Sequence, residues 1–205
     1  MRSERQWLDW AMEIQAIAQI GLTYSTDAFD HERYTRLRDI STEILAAYTQ
    51  MPTAVVADLF NNESGYQTPK LDTRAVIVRD GQVLLVHDAD GWALPGGWAD
   101  IGLTLRENVE KEVKEEAGLD AKALRILAIH DRAKHNSPEL PWSIWKIFVE
   151  CEVLGGEFAP NIETSDAQYF ALDDLPELAL GKTTREQLDL CLSLVGDPGQ
   201  GVAFD

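Results

Sequence analysis

LPGGWADIGLTLRENVEKEVKEEAGL, residues 94–119, sets a glycine turn, a helix start, an acidic helix face and a helix stop in one run. Pro95-Gly96-Gly97 forces a tight turn without side chains, so its backbone carbonyls can approach a ligand or an ion closely. The helix expected over about 104–117 presents Glu112, Glu115 and Glu116 at i, i+3 and i+4. Those positions share one face, about 5–6 Å apart at Cβ. Three such carboxylates repel one another unless solvent or a cation compensates. A hard divalent ion such as Mg²⁺ takes oxygen ligands of this kind together with substrate phosphates. EEAG alone is equally the solvated face of a helix in an acidic protein. Val109 and Val113 lie on another face and would hold the helix to a sheet, while Gly118 suits the C-cap with Leu119 packing back.

Downstream, residues 124–130, 144–153 and 168–172 read as strands and 183–194 as a final helix. Upstream, 75–79 and 83–87 are β-rich runs around Asp80-Gly81, a strong hairpin signal. Strands and helices without regular alternation predict an α+β fold, an α/β/α sandwich rather than a doubly wound sheet. The tail GDPGQGVAFD reads as a frayed end or an exchange arm.

Before residue 61 the period changes to that of helices. Trp7, Trp10, Ala11, Ile14, Ile17, Ala18 and Gly21 recur at three- and four-residue intervals, with Glu4, Asp9 and Glu13 between them. Gly21 and the polar run 23–27 would end this helix, and Thr26 or Asp27 would cap the next. A second stripe runs through Tyr34, Leu37, Ile40, Ile44, Leu45 and Tyr48. Pro52 suits the first turn of a third helix carrying Val55, Val56, Leu59 and Phe60. Short helices bury little by themselves, so this module needs a surface to cover. The loop NNESGYQTP, residues 61–69, places the boundary between a helical module over 1–62 and a main domain over 70–205.

Composition narrows the function. A net charge of −17, with 18 basic residues among 35 acidic ones, argues against a nucleic-acid polymer as partner. A small anionic substrate can still bind where a metal ion reverses the field. No apolar run approaches the roughly 18 residues of a membrane span, and no signal peptide opens the chain. Cys151 and Cys191 match no metal spacing and read as buried, reduced thiols of a cytoplasmic protein.

The run from Gly97 to Leu119 resembles the Nudix box, G-x5-E-x7-R-E-U-x-E-E-x-G-U. Gly97 aligns with its first Gly, Glu112 with the Glu after Arg, Val113 with U, and Glu115-Glu116 with the acidic pair, before Gly118 and Leu119. Two positions depart: Leu103 replaces the first Glu and Lys111 the Arg. Arg can pair two carboxylates at once where Lys is a point charge. If Leu103 removes one acceptor, the fork becomes less necessary, and Lys111 can still pair with Glu115 at i+4. Residues 7–41 are similar to the N-terminal extension of a Nudix subfamily that includes pyrophosphatases of ADP-ribose, UDP-linked compounds and CDP-choline.

The resemblance implies Mg²⁺, with Mn²⁺ as substitute, held by Glu112, Glu115, Glu116 and the carbonyl of Gly96. It implies cleavage of a nucleoside diphosphate linked to a group X into a nucleoside monophosphate and phosphorylated X. CDP-choline and ADP-ribose are the first substrates to try. Glu112 or Glu115 would double as base, unless the base comes from the long loop over 131–143, where Glu139 is the candidate. Lys134 and His135 in that loop, and Arg74 entering the first strand, would hold substrate phosphate. Trp142 and Trp145 suit the core or an interface, and His87 and His130 read as structural. Trp7, Trp10, Tyr24 and Tyr34 could form an aromatic surface for a quaternary ammonium, though helical spacing puts Trp7 and Tyr34 in a core. The run Asp30, His31, Glu32, Arg33 is equally capping and surface charge. The helical module would join two copies into a homodimer or cover the substrate. A ligand sensor on the same fold is the alternative, favoured by Leu103 and Lys111, and a hydrolase of damaged nucleoside triphosphates is a third possibility. Three carboxylates kept on one face speak for the enzyme.

Overall fold

In the computed structural model residues 6–49, 52–61 and 64–205 are described, 58–61 by their backbone alone. Glu4, position 62 and the side chains of Leu59 and Phe60 lie outside the described residues. The chain divides into two compact units, Met1–Pro69 and Lys70–Asp205.

The first unit has three helices, α1 Gln6–Tyr24, α2 Ala28–Thr49 and α3 Thr53–Asn61. Leu8 and Ala11 meet Leu45 and Val56 in a small core. Asp27 caps α2, its Oδ1 accepting from the backbone N–H groups of Phe29 and Asp30 at 2.9 and 3.0 Å. α1 ends at Tyr24, within the polar run 23–27 and three residues past Gly21. A Cβ at Gly21 would stand 2.4 Å from the ring of Tyr34, so the glycine in the last turn admits that ring. Trp7 stacks on Tyr48 at 4.6 Å between centroids. Trp10, Ile17, Tyr24 and Phe29 are left exposed.

The second unit runs β1 Lys70–Val76, β2 Val78–Arg79, β3 Gln82–Asp88, β4 Gly91–Ala93, α4 Leu105–Ala117, β5 Leu119–Asp131, α5 Arg132–His135, β6 Ile144–Gly156, β7 Asp166–Phe170, α6 Arg185–Gly196 and β8 Ala203–Phe204. One sheet has the order β1-β6-β5-β8, with β1 parallel and β5 antiparallel to β6. In the other, β3 pairs antiparallel with β2, β4 and β7. The stretch expected as one strand over 75–79 is therefore split. Its first half ends β1, and its second turns back through Asp80 and Gly81, whose φ angles of 51° and 77° make the hairpin.

Strand alternation sends side chains to two cores. Ala75, Ile77, Leu84, Val86, Ile147 and Val149 face Val109, Val113 and Ala117 of α4. Val76, Val83, Leu85 and Phe148 face Leu188, Cys191 and Leu194 of α6. Helices on both faces of mixed sheet make the expected α/β/α sandwich. Cys151 and Cys191 are free and buried, their thiols pushed up to about 12 by burial. The tail is neither frayed nor extended as an arm. It returns to pair β8 in parallel with Ala128 and Ile129 of β5, and the backbone N–H of Asp131 donates to Asp205 at 2.6 Å. Among the described residues no helix is long and apolar enough to cross a membrane.

Candidate active site

The helix α4 is fixed at both ends by local chemistry. Thr104 and Glu107 form a capping box, each side chain accepting from the other's backbone N–H. Gly118 closes the helix at φ 69°, in the left-handed region. The turn before it is bound to β1: the N–H of Ala75 donates to Pro95 at 2.7 Å and that of Thr73 to Gly97 at 2.8 Å. Between these two carbonyls, that of Gly96 accepts no hydrogen bond among the described residues. Thr183 completes the support, its hydroxyl accepting from the N–H of Leu94 at 3.0 Å.

Two of the three glutamates point under this turn. The N–H of Gly96 donates to Glu116 Oε2 at 2.7 Å. A Cβ on Gly97 would meet Glu112 Oε2 at 2.9 Å, so that glycine leaves the space the carboxylate uses. Burial pushes the Glu116 carboxyl up to about 7, with the charges of Glu112 and Asp88 adding to it and the Gly96 N–H and Arg74 opposing. Burial also raises Glu112, against the charge of Lys111. Glu115 is exposed and turned outward to Lys111, whose Nζ donates to it at 2.6 Å and to Glu112 at 3.3 Å.

Beside the turn opens a cleft of about 580 Å³, lined among others by Asp72, Arg74, Trp98, Arg132 and Lys182. Arg74 is buried, donates to Asp72 at 3.0 Å and to the carbonyl of Leu94 at 3.2 Å, and its charge reaches Glu112 and Glu116. Lys182 bridges Asp88 and Asp90 at 2.5 and 2.7 Å.

Comparison with known proteins decides what this arrangement is. The NUDIX domain model matches residues 69–191. The chain belongs to the Nudix family. A second model, described as a UDP-X-like N-terminal oligomerisation domain, matches residues 5–60. The chain is 40% identical over the full length of both proteins to "Putative ADP-ribose pyrophosphatase YjhB" of Bacillus subtilis (strain 168). A crystal structure titled as an ADP-ribose pyrophosphatase from Streptococcus suis 89-1591 is 51% identical, covering 67% of this chain and all of that one, with a TM-score of 0.63. The crystal structure of a UDP-X diphosphatase is 36% identical over 98% of both chains, with a TM-score of 0.64. With these relatives, the chain is a Nudix pyrophosphatase.

Against the Nudix pattern, the two departures now have a structural account. Leu103 is exposed, and the carboxylate the pattern would put there is supplied by Asp100, 3.3 Å from Lys111. Lys111 thus holds three acids, Asp100, Glu112 and Glu115, which keep its ammonium above the usual lysine range, Glu115 most strongly. The network of the box is re-sourced, not dismantled. Asn108 fixes the loop that carries Asp100: it accepts from the Asp100 N–H at 2.9 Å and donates to Thr73 Oγ1 at 2.9 Å and to Trp98 O at 3.3 Å.

As it stands, no group of three or more acidic, His or Cys side chains converges on one point among the described residues. Lys111 ties Glu115 to Glu112 on the outer side, while Glu116 turns to the Gly96 N–H. The donors still fit a hard divalent ion: a buried and a half-buried carboxylate and, in the turn above them, the Gly96 carbonyl, which accepts no hydrogen bond among the described residues.

Other expected site residues lie elsewhere. His135 Nε2 meets Asp205 at 2.8 Å and its ring stacks on His130 at 3.9 Å, while Lys134 and the half-exposed Trp145 line a separate hollow with Asp131 and Phe204. The returning tail holds that end of the loop away from the cleft. Glu139 is exposed, between the cleft-lining Pro138 and Leu140. His87 bonds Ser165 at 2.9 Å and packs edge-on to Trp92. Asp72, Asn108, Arg132, Lys146 and Lys182 were not legible as site residues. Arg132 stands in the loop 131–143 that the sequence singles out, but nothing local distinguished it from Lys134 and His135.

Proposed function

We propose that this pyrophosphatase hydrolyses a nucleoside diphosphate linked to a second group, releasing a nucleoside monophosphate and the phosphorylated second group. The observation that carries it is the pair of carboxylates, buried Glu112 and half-buried Glu116, set against Gly97 and Gly96 beside a cleft lined by Arg74, Arg132 and Lys182. Glu112, Glu116 and the carbonyl of Gly96 would hold Mg²⁺ or Mn²⁺, and Glu115 joins them by giving up Lys111. An ion there neutralises the diphosphate and acidifies the attacking water. The residues do the rest. Arg74 holds a phosphate oxygen from the cleft wall, and Trp98 offers an aromatic face to the nucleoside. Of the two carboxylates considered first as base, Glu112 is favoured by its position under Gly97, since Lys111 holds Glu115 outward. Glu139 would serve only if its loop turned inward.

ADP-ribose is the first substrate to try, because two of the relatives bear that activity in their names. UDP-linked compounds follow from the other solved structure, and CDP-choline from the family's range. The helices over 6–61 would pair two copies as a homodimer, covering Trp10, Ile17, Tyr24 and Phe29. Free, buried Cys151 and Cys191 suit the cytoplasm. Against a ligand sensor, the contact from Asp100 gives Lys111 a partner in an acid network, so its departure from the pattern supports the enzyme equally well.

A panel of nucleoside-diphosphate compounds with Mg²⁺, Mn²⁺ or chelator, read by mass spectrometry, is the test. Release of a nucleoside monophosphate only with metal is expected, and no product from any compound sinks the proposal. Asp100→Asn is expected to raise the Mg²⁺ concentration for half-maximal rate by about tenfold, the lower end for losing a partner behind a ligand. An unchanged Mg²⁺ dependence would show that Lys111 needs only the two glutamates.

A further inference from the structure

Beside Arg74 the cleft wall holds a second buried arginine, Arg132, that is not matched by a carboxylate of its own. Asp72 lies on β1 directly beside Lys146 on β6 in the parallel register. Its Oδ1 accepts from Arg74 and its Oδ2 from Lys146. Arg132 comes from α5, and its own partners are neutral: the carbonyls of Pro138 at 2.7 Å and Gly181 at 3.3 Å. Asp72, Arg74 and Arg132 are each 6% exposed and Lys146 not at all. Arg74 and Lys146 thus share Asp72, and Arg132 is a buried cation that meets no carboxylate within salt-bridge distance among the described residues, in a protein whose net charge is −17. A buried charge without a partner is costly, so a built cluster of this sign calls for an anion. Burial, with repulsion from Arg74 and Arg132, pulls the Lys146 ammonium down to about 8, as under-compensated positive charge does.

We infer that Arg74 and Arg132, backed by the Lys146–Asp72 pair, form a subsite for a phosphomonoester dianion, the phosphate that leaves when the anhydride is cut. The preference follows from charge. Each phosphoryl of a disubstituted diphosphate carries about one negative charge, whereas a free monoester carries about −1.5 to −2 at pH 7. As water's oxygen bonds to one phosphorus, the bridging P–O bond breaks and its electron pair stays on the leaving phosphate. A positive charge placed where negative charge grows on the leaving phosphate is stronger toward the transition state than toward the substrate, and so lowers the barrier; the same contact holds the product. Arg74 and Arg132 face the cleft. Lys146 is a positioning residue: by taking up Asp72 it leaves the Arg74 charge available to the ligand.

The inference rests on the cleft being the substrate site, but its test does not need turnover. Inorganic phosphate and dimethyl phosphate, a monoanion at any working pH, are titrated by calorimetry into the whole chain in chelator. The wild type is expected to bind phosphate at least about tenfold more tightly than dimethyl phosphate, and more tightly as pH rises through the second ionisation of inorganic phosphate, where the dianion forms. Arg132→Gln is expected to weaken phosphate by about 10- to 100-fold, the range of a charge-assisted bond, with Arg132→Lys recovering part. In the metal-loaded enzyme Arg132→Gln lowers kcat more than it raises KM and relieves inhibition by phosphate. Equal binding of the two anions by the wild type overturns the subsite, even if the variants fail to fold. So does phosphate affinity unchanged by Arg132→Gln, or no phosphate binding. Glu116→Gln separates the two readings: it should lose turnover and keep phosphate binding.

Discussion

Replacing Glu116 by Gln is expected to lower kcat by about 10²- to 10³-fold, the scale of one lost contributor to transition-state electrostatics, because it takes a carboxylate from the proposed metal site. The same change makes the metal-free protein more stable than the wild type above neutral pH. The stability effect comes from the half-buried Glu116 carboxyl, which desolvation pushes up to about 7. Folding therefore favours its protonated form. A carboxyl raised in the folded state contributes stability that is full below its unfolded value and is lost as pH rises through the folded one. The wild type in chelator should lose stability from about pH 5 to about pH 8. Gln stays neutral throughout and can still accept the Gly96 N–H, so the variant's melting curve lacks that decline. Mg²⁺ reverses the ranking. Binding the ionised form expels the proton and restores the wild type, while the variant gains little. Melting temperatures with and without Mg²⁺ across this range, beside product release, check both halves. A wild-type to variant difference that does not change with pH would remove the burial argument, and unchanged turnover would remove Glu116 from the site.

What the sequence disclosed follows how local the physics is. The turn at Gly96-Gly97, the capped helix and the Asp80-Gly81 hairpin are set by a few neighbouring residues, and each stands where its residues predict. The β-rich runs 75–79 and 83–87 were readable as strands, and their unbroken apolar stretches suit a core on both faces, but the break within 75–79 was not readable. That break depends on β1 finding β6, about seventy residues away, as its parallel neighbour. The same pairing sets Asp72 beside Lys146, which is why neither could be singled out beforehand. Gly21 was readable as part of a helix end, but not as the place where the ring of Tyr34 packs. Lys134 and His135 looked like phosphate ligands by type. The tail that occupies His135 has no local signal, whereas Arg132 is carried into the cleft by the backbone of Pro138 and Gly181. Asp100 is the instructive case. Lys111 was readable as a point charge tied to Glu115, but the third acid comes from a loop whose course Asn108 fixes through Thr73. A box read by pattern has a gap at Leu103, yet in space the carboxylate is present.

Gly96→Ala is expected to be among the most damaging single changes in the domain, and Gly102→Ala shows why by contrast. Both glycines have φ in the region that L side chains avoid, 142° at Gly96 and 90° at Gly102. At Gly102 a Cβ meets nothing within 4 Å, so alanine bears only the backbone strain, about 1–3 kcal/mol. At Gly96 the Cβ would stand 1.9 Å from the carbonyl oxygen of Thr73 and 3.0 Å from the Cα of Arg74. Those atoms belong to β1, which is paired to β6 along its whole length and cannot shift alone. The turn must move instead. Moving it strains the bonds from Thr73 and Ala75 to Gly97 and Pro95 and pulls the Gly96 N–H from Glu116. Overpacking of about 1–3 kcal/mol then adds to the strain, so a total above about 3 kcal/mol is expected. Activity should fall further than folding does, because the displaced carbonyl and Glu116 are the groups placed at the metal. Urea melts of both variants, with turnover measured where each remains folded, give the comparison. Equal losses at the two glycines would mean that backbone conformation, and not the close approach to Thr73, makes Gly96 necessary. A folded, fully active Gly96→Ala would mean that the carbonyl there has no part in the chemistry.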